Sequence, residues 1–175
     1  MAVLIKLGTL RVALTVLTGI TALYFTLVAL NNILDYGTNK QFVEHVLAMD
    51  TTFKDPDVMW RSIESPTVVT IAYVAVIAWE TLTAAVLIIA LVTWLRRGQA
   101  EKALRLSVLG WIMVVLLFAG GFIGIGGEWF QMWQSSAWNG LEPALQNVLI
   151  ASVGLILALR GMPSVDGTAT HPGAP

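Results

Sequence analysis

The sequence predicts an all-α membrane protein, a four-transmembrane-helix bundle with a small helical extracytoplasmic cap. Its 175 residues are 57% hydrophobic and only 12% charged, which is too apolar for an ordinary soluble domain. Four long apolar runs cover residues 12–30, 67–95, 106–127 and 143–159, and one acidic or basic side chain, Glu80, falls within them. Helices of about 17 to 25 apolar residues cross a bilayer, so these runs are the predicted spans.

Charge and cysteine content exclude several classes of function. The formal net charge is −1, so there is no basic field that would attract nucleic acid as a partner. The chain has no cysteine, which excludes disulfides, zinc–thiolate sites, iron–sulfur ligation and thiol catalysis together.

The first apolar run could instead be a cleaved targeting segment, because Lys6 and Arg11 precede it. Its 19 residues exceed a typical signal-peptide core, and it ends in Asn31-Asn32 rather than in a small-residue cleavage site. We therefore interpret it as a retained first span.

The longest run, residues 67–95, has marked ends. Ser65 can cap the helix and Pro66 suits its first turn, while Arg96-Arg97-Gly98 supplies cations and a terminator. A helix over this run is about 43 Å long, more than the ~30 Å of a bilayer's hydrocarbon. The loop that follows is short, so the second and third spans should form an antiparallel hairpin.

Basic residues predict the orientation. With four spans both chain ends lie on one side, which holds seven of the ten Lys and Arg residues: Lys6, Arg11, Arg96, Arg97, Lys102, Arg105 and Arg160. Because such residues concentrate in cytoplasmic segments, we expect cytoplasmic N- and C-termini and an extracytoplasmic loop 31–66.

Residues 1–160 then form the transmembrane domain. Residues 161–175, rich in Gly, Pro, Ser and Thr, are expected to be a flexible cytoplasmic tail.

The loop 31–66 has helix signals of its own. Thr38 with Gln41 fits a capping box before an amphipathic helix, and Asp55-Pro56 fits the start of a second, shorter helix. These helices would form most of the cap.

The segment between the third and fourth spans, residues 126–140, should complete the cap. Three of the seven tryptophans fall there: Trp129, Trp133 and Trp138. Indole rings prefer the membrane–water boundary, so an interfacial re-entry is expected. Asn139 with Glu142 can cap the fourth span.

Five glycines, Gly120, Gly121, Gly124, Gly126 and Gly127, end the third span. Small residues let helix backbones approach closely in lipid, so a packing seam is the expected role, with a hinge or a ligand-facing backbone as the alternative. A phosphate-binding loop is not indicated, because the glycines lie within a membrane run.

Several short motifs resemble a known family. They are Asn31-Asn32 with Asp35-Tyr36, Phe42-Val43 with His45-Val46-Leu47, Met49-Asp50-Thr51-Thr52-Phe53, Trp60-Arg61, Trp79-Glu80, and Gly126-Gly127-Glu128-Trp129-Phe130 through Trp138-Asn139-Gly140. With these motifs, residues 10–160 resemble a bacterial family of predicted small integral membrane proteins that is classed as a domain of unknown function. The resemblance implies a four-span protein of the bacterial inner membrane, and it brings no known catalytic residue.

Glu80 is the first candidate for chemistry. A carboxyl group in the bilayer core costs several kcal/mol, and such residues usually face a bundle interior or a cavity. Glu80 lies 16 residues, about 24 Å of helix, from both Glu64 and Arg96, too far to reach water. It is either a proton carrier or partner for a polar ligand such as a quinone headgroup, or a structural acid hydrogen-bonded to another span. Candidate partners are Thr15, Thr18 and Tyr24. Trp79 points about 100° away, so at most one of the two faces straight into the core.

Glu128 and Arg61 form a second candidate pair. Glu128 follows two glycines at the mouth of the third span, among aromatic residues, and Arg61 lies on the same predicted side. An ion pair that locks the two outer segments together is expected.

Other sites are disfavoured by the sequence. The two histidines, His45 in the outer loop and His171 in the tail, are not at membrane depth, so a bis-histidine haem site is excluded and His45 is interpreted as a solvated surface residue. Asp50, Asp55 and Asp57 lack the glycine and the spacing of a calcium-binding hand, which favours helix capping over a metal site. No Ser/His/Asp set, phosphate loop or dinucleotide fingerprint is present.

Three classes of function follow. The leading hypothesis is an accessory or scaffolding subunit of a larger membrane complex, such as an energy-converting or redox assembly, docked through its cap and an outer helix face onto other membrane-protein subunits. The second is a small carrier or quinone-binding unit with Glu80 and Glu128 as polar contacts. A membrane enzyme is the weakest. The lipid bilayer is the expected partner in every case, and no cofactor is expected beyond a bound lipid or quinone.

Overall fold

The computed structural model describes residues 9–161, and within that range the chain is helical without a strand. Five α-helices follow one another: α1 Leu10–Leu34, α2 Tyr36–Ala48, α3 Pro66–Leu95, α4 Ala100–Val115 and α5 Leu141–Leu159. Helix α4 continues directly into a π-helix, Leu116–Trp129, and short 3₁₀ turns lie at Met59–Arg61 and Met132–Gln134. The predicted tail from residue 162 onward lies outside the described residues.

Four of these helices are long and apolar enough to cross a membrane: α1, α3, α5, and α4 taken together with the π-helix. The predicted all-α membrane bundle is therefore confirmed. Each of the four packs antiparallel to its neighbours, with α3 between α1 and α4, and α5 between α4 and α1. Residues 35–65, which include α2, and residues 130–140 all lie at one end, here named the large-loop end.

Helix contacts in the core depend on two glycines that the sequence did not single out. A Cβ atom on Gly154 would lie 2.6 Å from the ring of Trp111, which is fully buried, and one on Gly110 would clash with the side chain of Leu87. Only glycine permits helices to approach this closely. Large aliphatic side chains such as Ile20 and Leu149 cover the outer face, as expected for a lipid-facing surface.

The predicted glycine seam at residues 120–127 is wrong for most of its members. A Cβ atom on Gly120 would meet nothing within 4 Å, and atoms on Gly121 and Gly124 would meet only their own helix. Gly127 alone comes close to another span, at Leu141 of α5. The segment is a π-helix, whereas the predicted seam assumed the residue spacing of an α-helix. Because π-helices are rare, there was no reason to expect one from the sequence.

Interhelical hydrogen bonds hold the half of the bundle away from the large-loop end. Thr18 Oγ1 and Ser107 Oγ lie 2.9 Å apart, and Trp94 Nε1 donates to the same Ser107 oxygen at 2.9 Å. Trp111 Nε1 donates to Thr21 Oγ1 at 3.4 Å. These bonds join α1, α3 and α4 through side chains that are all buried.

Two predicted helix starts differ from the observed ones. Helix α2 begins at Tyr36, before the expected Thr38–Gln41 capping box, because the chain turns from α1 into α2 at the single residue Asp35; Thr38 Oγ1 instead donates to Asp35 Oδ1. The helix expected after Asp55-Pro56 is only the 3₁₀ turn Met59–Arg61.

The observed caps of the spans also differ. Pro66 is the first residue of α3 as expected, but the Ser65 side chain makes no cap hydrogen bond. Gly140, not Asn139, is the N-cap of α5, and Asn139 Oδ1 accepts the backbone N–H of Leu141 at 3.0 Å.

Candidate functional site

Glu80 lies on the inner face of α3 and is 3% exposed. Its Oε2 accepts a hydrogen bond of 2.5 Å from Nδ2 of Asn32, a residue near the end of α1 that is itself 7% exposed. The sequence had placed Asn32 outside the first span, since its polar side chain ended the apolar run. Helix α1 instead continues to Leu34, which brings Asn32 to face α3.

The three partners expected for Glu80 are wrong, because each of them bonds elsewhere. Thr15 Oγ1 donates to the carbonyl of Arg11 within its own helix, and Thr18 belongs to the Ser107 network. The Tyr24 hydroxyl accepts from Nδ2 of Asn147 on α5 at 3.1 Å.

Asn32 is oriented by two further hydrogen bonds. Its Oδ1 accepts from Nδ2 of Asn39 on α2 at 2.6 Å, and its backbone carbonyl accepts from the Tyr73 hydroxyl at 3.1 Å. Because the amide oxygen is directed at Asn39, the amide nitrogen is left to donate to Glu80. Helices α1, α2 and α3 therefore meet in one polar network whose innermost group is the Glu80 carboxyl.

This network lines a cavity of about 360 Å³, here named the polar chamber. Its polar lining residues are Tyr24, Asn31, Asn32, Asn39, Tyr73, Glu80, Asn139 and Asn147, and apolar side chains such as Phe42 and Phe122 complete it. No lysine, arginine or histidine is among the lining residues. Within residues 9–161 the side-chain ion pairs join His45 to Asp50 and Arg105 to Glu101, so the Glu80 carboxyl is paired with an amide rather than with a cation.

The polar chamber lies in the large-loop half of the bundle. Glu80 is fourteen residues into α3, about 21 Å from its start. Asn147, on the opposite wall, is only six residues into α5, about 9 Å from its start. Because Glu80 and Asn147 line the same cavity, α3 extends past the start of α5, and it runs there beside α2. Glu80 is central in α3 but therefore lies in the half of the four-span bundle that is nearer the large-loop end.

A second cavity of about 250 Å³, here named the apolar chamber, adjoins the first. It is lined by Phe42, Val43, Val46, Leu47, Ala72, Val76, Leu117, Gly121, Phe122, Ile125, Gly126, Phe130 and Met132. Phe42, Val43, Val76 and Phe122 line both chambers, and the Phe42 and Phe122 rings stack with centroids 6.3 Å apart. Helix α2 and the π-helix therefore form the wall between a polar and an apolar space.

Trp79, the neighbour of Glu80, is turned toward α4. Its Nε1 donates to the backbone carbonyl of Met113 at 3.0 Å, and its side chain is half-buried. The expectation that at most one of the two residues faces straight into the core agrees with this arrangement. Trp79 joins two helices and takes no part in the polar chamber.

The expected Arg61–Glu128 ion pair is wrong. The Arg61 guanidinium lies over the indole ring of Trp129, with its Cζ 4.6 Å from the centroid, and it also contacts the ring of Trp60. Its Nη1 donates to the Trp129 carbonyl at 3.4 Å. The two rings attract the guanidinium through cation–π interactions, and Glu128 is exposed.

The other two candidate tryptophans also pack against the loop 31–66. Trp133 meets Phe53 edge-on at 6.0 Å, and Trp138 stacks on His45 with centroids 4.4 Å apart. His45, expected to be solvated, is half-buried, and its Nδ1 lies 2.6 Å from Asp50 Oδ2. Aromatic contacts and hydrogen bonds, such as those from Thr51 Oγ1 to Ser135 Oγ and from Phe53 N to Gln134 Oε1, both at 2.8 Å, hold the two loop segments together.

The fold and this site define a small multi-span integral membrane protein in which, across residues 9–161, one acid is buried beside two adjoining chambers. Within that class, the chain belongs to the family described as "predicted small integral membrane protein (DUF2165)", which matches residues 10–160. Among curated proteins and among solved structures, no match to the chain was found.

Proposed function

We propose that this protein binds, within the membrane, a small molecule whose polar head contacts Glu80 in the polar chamber. The observation that carries the proposal is a buried carboxyl, held by Asn32, on the wall of a cavity of about 360 Å³. A buried acid in a membrane domain is energetically unfavourable and marks a functional site by default. Cavities of this size with a few convergent polar groups are the usual form of a small-molecule site.

The lining residues restrict the chemistry of the head. An anionic head such as a phosphate would face Glu80 with no lysine, arginine or histidine in the lining to balance its charge. The Asn amides and Tyr hydroxyls can both donate and accept hydrogen bonds, and Glu80 accepts them. A neutral head with hydroxyl or carbonyl oxygens, of the quinone or quinol type, fits this set.

The test uses menadiol, a quinol ring that carries no long apolar tail. Its binding to the purified protein in nanodiscs is measured by equilibrium dialysis for the wild type and for Glu80→Gln. We expect the variant to bind about tenfold more weakly, because the amide nitrogen that replaces one carboxyl oxygen cannot accept a hydrogen bond. The matched control is Glu101→Gln, the same change at the opposite end of the bundle, where Glu101 pairs with exposed Arg105. Equal affinities in all three proteins, or no binding to the wild type, would refute the proposal.

A second candidate function is the accessory or scaffolding subunit, and the aromatic side chains of the large-loop end favour it. Phe53 is 73% exposed, Trp60 69%, Trp133 47% and Trp129 44%. Large aromatic side chains left this accessible in one region are typical of surfaces that bind other proteins. Mild detergent extraction followed by mass spectrometry should recover a stoichiometric partner that Trp60→Ser loses, and the identity of that partner would show whether the assembly is energy-converting or redox. A monodisperse homomer would contradict this candidate.

We also propose that the protein lies in a bacterial inner membrane with both termini in the cytoplasm and the large-loop end outside. The basic residues at the α3–α4 turn and beside the chain ends support this orientation. Because the chain lacks cysteine, a single introduced thiol is unique. An impermeant maleimide applied to intact spheroplasts should label Asp57→Cys and spare Lys102→Cys. Labelling of Lys102→Cys but not of Asp57→Cys would show that the protein has the opposite orientation.

A further inference from the structure

We infer that the ligand is amphipathic, with a single apolar tail that occupies the apolar chamber while its neutral head lies against Glu80. This inference rests on the proposed function and adds the class of ligand. It follows from the position and the lining of the second cavity.

The two chambers are neighbours. Phe42 and Val43 of α2, Val76 of α3 and Phe122 of the π-helix line both of them. A molecule whose head reaches Glu80 therefore has the apolar chamber beside it, separated only by side chains that both spaces share.

The apolar chamber suits a hydrocarbon rather than water. Every residue that lines it is apolar, whereas a buried water requires about two to four polar partners. Without an occupant, the lining side chains would lose dispersion contacts on one side. A tail restores those contacts and adds no unpaired polar group.

The charge of the lining separates this ligand from an ordinary phospholipid. An acyl chain of a phospholipid could fill the apolar chamber, but its phosphate would then lie at a polar chamber with an acid and no cation among its lining residues. A single-chain molecule with an uncharged head meets no such conflict.

Two adjacent glycines provide a matched pair of variants. Gly121 lines the apolar chamber, and a Cβ atom there would meet only Leu117 Cδ1, at 3.7 Å, so a leucine at this position would extend into the chamber. Gly120 lines neither chamber and is exposed, and a Cβ atom on it would have no neighbour within 4 Å. Gly121→Leu should therefore block the tail, and Gly120→Leu should leave it in place.

The experiment uses a naphthoquinol with a decyl tail that ends in a photoreactive diazirine, added to the full-length protein in phosphatidylcholine nanodiscs. After illumination, labelled residues are mapped by mass spectrometry. We expect label on Val46, Leu47 or Ile125, reduced about tenfold by Gly121→Leu and unchanged by Gly120→Leu. Ala72→Phe, which fills the same chamber from α3, should act like Gly121→Leu. Menadiol binding should persist in both filling variants, which shows that they are folded.

The outcomes separate the inference from the proposed function. Label on lipid-facing residues such as Leu27 in every variant, with menadiol still dependent on Glu80, would overturn the inference and leave the proposed function standing. A phosphatidylcholine with a diazirine on its acyl chain is the comparison probe. If it labels the residues of the apolar chamber as strongly as the naphthoquinol does, the chamber holds a bulk acyl chain and the inference is also overturned. Menadiol binding that does not depend on Glu80 would refute the proposed function itself.

Discussion

The hydrogen bond between Asn32 and Glu80 can be measured as a coupling energy between α1 and α3. The single variants Asn32→Leu and Glu80→Leu and the double variant make a thermodynamic cycle. Asn32→Leu leaves a carboxyl that is 3% exposed without its donor, which should destabilise the protein by about 2 kcal/mol. Asn39 also loses its acceptor, but its side chain is exposed and can bind water instead.

Glu80→Leu should destabilise less, since it leaves the Asn32 amide unpaired but also removes an acid from an apolar bundle. Hydrogen bonds between membrane helices contribute about 0.6 kcal/mol on average and at most about 1.7. A carboxyl acceptor belongs in the upper part of that range. We therefore expect a coupling energy of about 1 to 1.5 kcal/mol.

The free energy of unfolding is obtained by titration with sodium dodecyl sulfate in mixed micelles, followed by far-UV circular dichroism. The control cycle pairs Asn32→Leu with Thr81→Val, because Thr81 is exposed and bonds only to the Ile77 carbonyl of its own helix. That cycle should be additive. A coupling below about 0.3 kcal/mol for the Asn32–Glu80 cycle would be indistinguishable from additivity and would refute the contact.

Two further predictions concern packing and the large-loop end. Gly154→Ala should destabilise the protein by about 1 to 3 kcal/mol, because the new methyl group overlaps the buried ring of Trp111, while Gly120→Ala should change the same unfolding titration little. Arg61→Gln should destabilise the large-loop end, measured as faster amide hydrogen exchange there, because the cation over two indole rings is lost; Glu128→Gln should not. A larger effect of Glu128→Gln would contradict this prediction and would support the Arg61–Glu128 ion pair that the sequence had indicated.

The spans could be predicted from the sequence because apolar length is a property of single segments. All four apolar runs lie within observed helices, and Pro66 begins α3 as its fixed backbone angle favours. The end of α1 was missed, because Asn31-Asn32 was interpreted as the end of the run. The polar side chain of Asn32 lies within the helix and is buried, because Glu80 accepts its hydrogen bond.

The site was predicted only in part. Glu80 stood out as the one acid in an apolar run, but its partner is 48 residues away in sequence, and no spacing rule links them. The Arg61–Glu128 pair failed because the sequence shows complementary charge but not the indole faces that compete for the guanidinium. The signal that could have found the polar chamber was the number of asparagines near helix ends, which apolar periodicity ignores.

Contact between the head of a ligand and the Glu80 carboxyl group can be detected directly. Infrared difference spectra of the protein in nanodiscs, recorded with and without the decyl naphthoquinol, report changes in individual carboxyl groups. We expect a shifted carboxyl or carboxylate band that is present in the wild type and in Glu101→Gln and is lost in Glu80→Gln. A difference spectrum that Glu80→Gln leaves unchanged would show that the ligand does not touch Glu80.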